Sequence, residues 1–178
     1  MPRIDPVLSL TFATAVASLF FTSVIHKIKD PYRFRDAVSG FALIPEPLIL
    51  TTAIFVLVCE CAVVATFILG STRAAGMYVA GTLMLLYAGA IAVNLLRGRT
   101  EIDCGCVGFS AQQHLGWWMV ARNAVVAIGA FIACLPRAPR ELTPMDFFVI
   151  ICAACAAAAL YSAQGVLAHA HRRWQGET

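Results

Sequence analysis

The sequence predicts an all-α polytopic membrane helix bundle of about five transmembrane helices plus a short interfacial amphipathic helix. Three observations carry this. Hydrophobic residues make up 60% of the chain against 13% charged. Uncharged runs cover residues 7–25, 74–96 and 147–168, while 48–70 is broken only by Glu60 and 115–134 only by Arg122. Each run is long enough to cross a hydrocarbon core of ~30 Å at ~1.5 Å per residue.

The expected helices lie near 7–26, 48–70, 74–96, 115–135 and 147–168. The first run is preceded only by Arg3 and Asp5, a poor match to the basic start of a cleaved signal, so a retained helix is expected. Between the first two spans, Phe34, Val38 and Phe41 recur at helical spacing. Asp30 is placed to N-cap a helix that begins at Pro31, which predicts the interfacial helix near 31–41, as an anchor or as a lid. The connecting segments are short, so the whole of 1–178 is expected to be a single transmembrane domain. Residues 153–159, rich in Ala, offer a face that lets a neighbouring helix approach closely. The net charge of +3 arises from scattered Lys and Arg, and no basic stripe points to nucleic acid.

The feature with the most chemistry is Asp103-Cys104-Gly105-Cys106-Val107, a close-spaced dithiol in a polar loop between the third and fourth spans. Gly105 permits the unusual backbone angles that a ring closed across one residue needs. Strain in such a disulfide makes it easy to reduce. Arg97 and Arg99 would favour the thiolate, whereas Asp103 opposes it. Two alternatives stand beside exchange: a disulfide that only braces the loop, and a metal site drawing on Asp103, Cys104, Cys106 and His114, whose spacing fits zinc poorly. The site is therefore read as metal-free. Of the seven cysteines, Cys59 and Cys61 fall near the bilayer centre, and Cys134, Cys152 and Cys155 toward the face away from the dithiol, where they read as packing residues.

Glu60 is the second singular residue, because an ionisable group in mid-membrane is costly unless paired, protonated or wet. Arg122 enters from the dithiol side within reach of it, so an Arg122 pair and a protonated Glu60 stand as equal alternatives. Asn94, Arg97 and Asn123 complete a candidate polar layer beneath the dithiol, with His26 at the same level. His169, His171 and Trp174 read as an interfacial belt.

Orientation presents a conflict. Lys27, Lys29, Arg33, Arg35, Arg97, Arg99, Arg172 and Arg173 share the dithiol side of a five-helix chain, against Arg3, Arg73, Arg137 and Arg140 on the other. The positive-inside rule places the dithiol in the cytoplasm.

The run from Asn94-Leu95-Leu96-Arg97-Gly98-Arg99 through Asp103-Cys104-Gly105-Cys106-Val107-Gly108, followed by Arg122-Asn123, resembles the MauE family of methylamine utilisation proteins, within the wider DoxX-like group. Ser23, His26, Lys27, Asp30, Pro31 and Phe34 fit the resemblance, as do Glu60 and Leu160-Tyr161. It covers nearly the whole chain. The sequence departs from the family pattern at Val107, where an aromatic often follows the second Cys, and in the cysteines flanking Glu60. The resemblance implies a bacterial inner-membrane accessory protein for maturation of the methylamine dehydrogenase β subunit, which carries tryptophan tryptophylquinone and many disulfides. It would act beside a thioredoxin-like MauD partner, with a periplasmic dithiol. Cys104 and Cys106 would then be the redox pair, supported by Glu60, Asn94, Arg97, Asp103, Arg122 and Asn123. Enzyme status stays open: the chain is read as a component of a thiol-disulfide oxidoreductase system. A quinone is a candidate oxidant, although no quinone motif is visible. The contrasting reading is a non-enzymatic export or docking subunit with a structural disulfide.

Overall fold

The computed structural model describes residues 4–100, 115–136, 138–156 and 159. Five α-helices follow in order: α1 (Pro6–Lys29), α2 (Pro31–Gly40), α3 (Ile49–Leu69), α4 (Arg73–Leu96) and α5 (Trp117–Ala133), with a short 3-10 turn, Glu46–Leu48, leading into α3. A further apolar helix, α6, spans Pro144–Ala156. The protein is an all-α membrane helix bundle. Three segments, Pro6–Lys29, Glu46–Leu69 and Arg73–Leu96, are both long and apolar enough to cross a bilayer, whereas α5 and the described part of α6 are shorter. Most of the expected continuation of α6 to residue 168 lies outside the described residues.

Local chemistry sets the helix ends. Asp5 caps α1 by accepting a 2.8 Å bond from the Val7 amide, with Pro6 in the first turn. Asp30 serves twice. It closes α1 through its own amide, and its carboxylate accepts from the Arg33 amide at 3.0 Å to open α2. The first helix therefore runs on to Lys29, three residues beyond the expected end, and turns sharply into α2. Helix α4 ends in a Schellman motif: Gly98, at φ +71°, donates to the Leu95 carbonyl and Arg99 to the Asn94 carbonyl.

The core joins α1, α3, α4 and α5 through Ala13, Val16, Phe20, Val63, Met77, Ala80, Leu83, Ala130 and Ala133. Small residues dominate, as expected where helices associate by close packing rather than by expelling water. The outward face is the reverse of a soluble protein's: Phe21, Phe55, Ile68, Leu86, Val125 and Phe148 are all exposed. Gly76 marks the tightest approach, since a Cβ there would lie 1.9 Å from the Thr66 hydroxyl oxygen across the α3–α4 hairpin. We expect Gly76→Val to pry the hairpin apart and destabilise by about 1–3 kcal/mol or more, read as a lower melting temperature in detergent. Gly89, with open space around its position, is the control, and Gly89→Ala should leave melting little changed or slightly raised.

Two sets of contacts define the ends of the bundle. At one, Arg99 donates to the Gly40 carbonyl (3.1 Å) and the Phe41 carbonyl (3.4 Å), so the end of α2 and the end of α4 are neighbours. At the other, Arg140 bridges Asp5 and Asp146, each at 2.7 Å, and Ile4 hydrogen-bonds the Pro136 carbonyl.

Candidate functional site

The dithiol residues Asp103, Cys104 and Cys106 lie outside the described residues, as does His114. The structure does describe where their loop begins and ends. The Leu115 amide donates to the Thr100 carbonyl at 2.8 Å, so residues 101–114 leave and re-enter the bundle at one point. Beneath that point Leu115, Met119 and Ile91 form a small buried cluster, with Phe41 packed against it.

The expected polar layer resolves into two tiers. Asn94 and Arg99 form the outer one. Asn94 is fully buried, donates to the Ala90 carbonyl at 3.1 Å and accepts a 3.4 Å bond from Arg99. Arg97 reaches across to the Ala42 carbonyl at 3.5 Å. Together the two arginines hold the end of α2 to the root of the dithiol loop.

The inner tier is centred on Glu60, seven residues below Asn94 when measured at its α4 partner Tyr87, or about 10 Å by helix rise. Sequence reasoning expects Arg122 as the partner of Glu60, or a proton. The structure supplies Lys27 instead. Its ammonium lies 2.5 Å from Glu60 Oε1, with both side chains 1% exposed. Tyr87 donates its hydroxyl to the same oxygen at 2.7 Å, and Ser23 lies 3.2 Å from Oε2. The ammonium also sits 4.3 Å from the centre of the Phe34 ring, a cation–π contact from α2.

Lys27 reaches this position for two reasons. It falls in the last turn of an α1 longer than the apolar run alone indicates. Side chains on a helix also lean toward its N-terminus, here into the bilayer, so the four-carbon arm points at Glu60 rather than out to the headgroups. Ser23 and Lys27 stand four residues apart on one face. That spacing was the available signal, but a Lys at a helix end ordinarily reads as an interfacial anchor. Tyr87 gave none, being one aromatic in an apolar run.

Arg122 and Asn123 do join the inner tier, from α5. With Ser23, Glu60 and Tyr87 they line a small cavity of about 20 Å³, room for about one water molecule. Arg122 turns toward Asn123 (3.4 Å), lies 5.3 Å from the Trp118 ring and lines this space together with Glu60. Four helices thus place polar groups on one mid-membrane point.

The five described cysteines are all free. Cys59 packs against the main core, Cys134 donates weakly to the Ala130 and Ala74 carbonyls, and Cys61, Cys152 and Cys155 are exposed on the outward face. Among the described residues no group of three or more His, Cys, Asp or Glu side chains is gathered as a metal site would require.

The family model described as methylamine utilisation protein MauE matches residues 5–136, from the α1 cap past the end of α5. The chain is 37% identical to the methylamine utilization protein MauE of Paracoccus versutus over 137 residues, covering 75% of this chain and 73% of that one. It is 33% identical to the MauE protein of Paracoccus denitrificans over 79% of this chain and 77% of the relative. With the MauE protein of Methylorubrum extorquens identity is 34% over 84% and 81%. No solved structure matches. On the family match and these identities, the chain belongs to the MauE family, membrane proteins of methylamine utilisation.

Proposed function

We propose that this protein is an accessory component of the bacterial inner membrane that serves maturation of the methylamine dehydrogenase β subunit by thiol-disulfide exchange at Cys104 and Cys106. The observation that carries this reading is the clamped base of the dithiol loop. Its two ends meet at Thr100 and Leu115, directly above a buried polar scaffold. A reactive pair presented to a large protein client needs a rigid root and an open tip, and thiolate attack depends on access.

In the exchange, a client thiolate attacks one sulfur of the Cys104–Cys106 disulfide and forms a mixed disulfide, releasing the other as a thiolate. The second client thiolate then displaces that sulfur, so the client gains a disulfide and the pair takes up two electrons. A thioredoxin-like protein of the MauD type would return the pair to the disulfide by the same steps in reverse, its own disulfide being reduced. The two reduction potentials decide whether the sequence runs in this sense or the opposite one.

A periplasmic loop fits a disulfide-forming role. The burial of Lys27 in an ion pair also removes one charge from the eight that argue for a cytoplasmic one. The remaining basic excess runs against this orientation under the positive-inside rule. A membrane-impermeant thiol reagent applied to reduced spheroplasts should label the pair; protection from it would return the loop to the cytoplasm.

Thiol trapping in cells tests the exchange itself. The Cys104–Cys106 pair is expected to change redox state when the thioredoxin-like partner is deleted. A pair that stays fully oxidised with and without that partner would favour an export or docking subunit with a structural disulfide.

A further inference from the structure

A second cavity, larger than the one beside Glu60, takes no part in that exchange. It measures about 310 Å³ and lies under α2, between that helix and the outer halves of α3 and α4. This is within the size range of ligand sites. Its wall is hydrocarbon almost throughout, with Phe34, Phe41, Phe55 and Ile91 prominent. Lys27 and Tyr87 touch its inner end, but both point into the Glu60 network, and the Lys27 ammonium is covered by Glu60, Tyr87 and the Phe34 ring. The cavity therefore suits a hydrocarbon chain rather than a polar molecule.

Two features indicate where that chain comes from. Phe55 and Leu86 line the cavity and are also exposed, at 63% and 61%, so it is continuous with the lipid-facing surface between α3 and α4. At its outer end Arg97 and Arg99, both exposed, are anchored on the Ala42, Phe41 and Gly40 carbonyls. An arginine has five N–H donors; these bonds and the one to Asn94 occupy only some of them, and guanidinium is the side chain that pairs best with phosphate. Along α4 the lining runs from Leu83 to Ile91, about 12 Å by helix rise, and Arg97 stands about 9 Å beyond it; the two together are comparable to an acyl chain with its glycerol phosphate.

We propose that this cavity seats one acyl chain of an anionic phospholipid whose phosphate lies on Arg97 and Arg99. The lipid wedges α2 against α3 and α4 and is bound at the root of the 101–114 loop.

Photo-crosslinking in nanodiscs tests this. The purified full chain is embedded with phosphatidylglycerol or phosphatidylcholine bearing a diazirine in the acyl chain, and labelled peptides are mapped by mass spectrometry. Phosphatidylglycerol should label α2 and the outer half of α3 several-fold more than phosphatidylcholine. Ala90→Phe and Val38→Phe, which fill the cavity from opposite walls, should each abolish that labelling while sparing labels around Ile68. Arg97→Gln with Arg99→Gln should remove the preference for phosphatidylglycerol. Thermal melting identifies any variant that fails to fold, and the other then decides. Equal labelling by the two lipids, or labelling unchanged by both cavity-filling variants, would leave only annular lipid and overturn the proposal. Displacement of the label by ubiquinone but not by unlabelled phosphatidylglycerol would overturn it in favour of an isoprenoid chain.

Discussion

Replacing Lys27 by Met is expected to destabilise the protein by about 3–5 kcal/mol, the usual cost of leaving one member of a buried ion pair without its counter-charge. Glu60 is 1% exposed, and its carboxylate would keep only the Tyr87 and Ser23 hydroxyls. Tyr87→Phe, which removes one hydrogen bond to a charged group, should cost less, about 1.5–3 kcal/mol. The double variant Lys27→Met with Glu60→Met should recover most of the loss, because two apolar groups of similar volume remove the desolvation penalty of both charges. Melting temperature in detergent and steady-state abundance in membranes both report the series. A Lys27→Met protein as stable as the wild type would mean that Glu60 is held by its hydroxyl partners alone. If the double variant regains stability but not activity in methylamine-dependent growth, the pair contributes to function beyond setting helix register.

The fold was largely legible because hydropathy reports directly on which segments avoid water, and the boundary signal Asp30-Pro31 acts through local backbone chemistry. The inner tier was only half legible. Glu60 stood out because a lone carboxyl in an apolar run has no inexpensive explanation. Its partner did not, because counting residues from the end of the apolar run leaves Lys27 at the headgroups. Only the extension of α1 through Lys29, and the inward lean of the side chain, bring it to Glu60. Arg122 lines the same cavity as Glu60, yet which of two cations bonds a carboxylate depends on helix rotation, which follows from close packing, such as Phe131 against Gly81 and Phe12 against Gly129, rather than from periodicity. The cavity beneath α2 was invisible for the same reason: it is a gap between side chains from three helices that are distant in sequence.

The second large effect is expected at the dithiol. Cys106→Ser should reduce mature methylamine dehydrogenase to the level seen when the gene for this protein is deleted, while the protein itself accumulates normally. Exchange needs both sulfurs. With Cys104 alone, its thiolate can still attack the disulfide of the thioredoxin-like partner, forming a mixed disulfide and releasing the partner's other sulfur as a thiolate, but no Cys106 thiol is present to resolve it. The variant should therefore trap the thioredoxin-like partner as a disulfide-linked adduct on non-reducing gels, and Cys104→Ser with Cys106→Ser should lose it. Normal abundance is expected because the core and the Lys27–Glu60 pair lie in the helices below Thr100 and Leu115. If the Cys106→Ser strain still produced mature dehydrogenase at the wild-type level, exchange at this pair would be ruled out. Loss of dehydrogenase together with loss of the protein would instead assign the disulfide to folding. The adduct, which a purely structural disulfide has no reason to form, separates these outcomes.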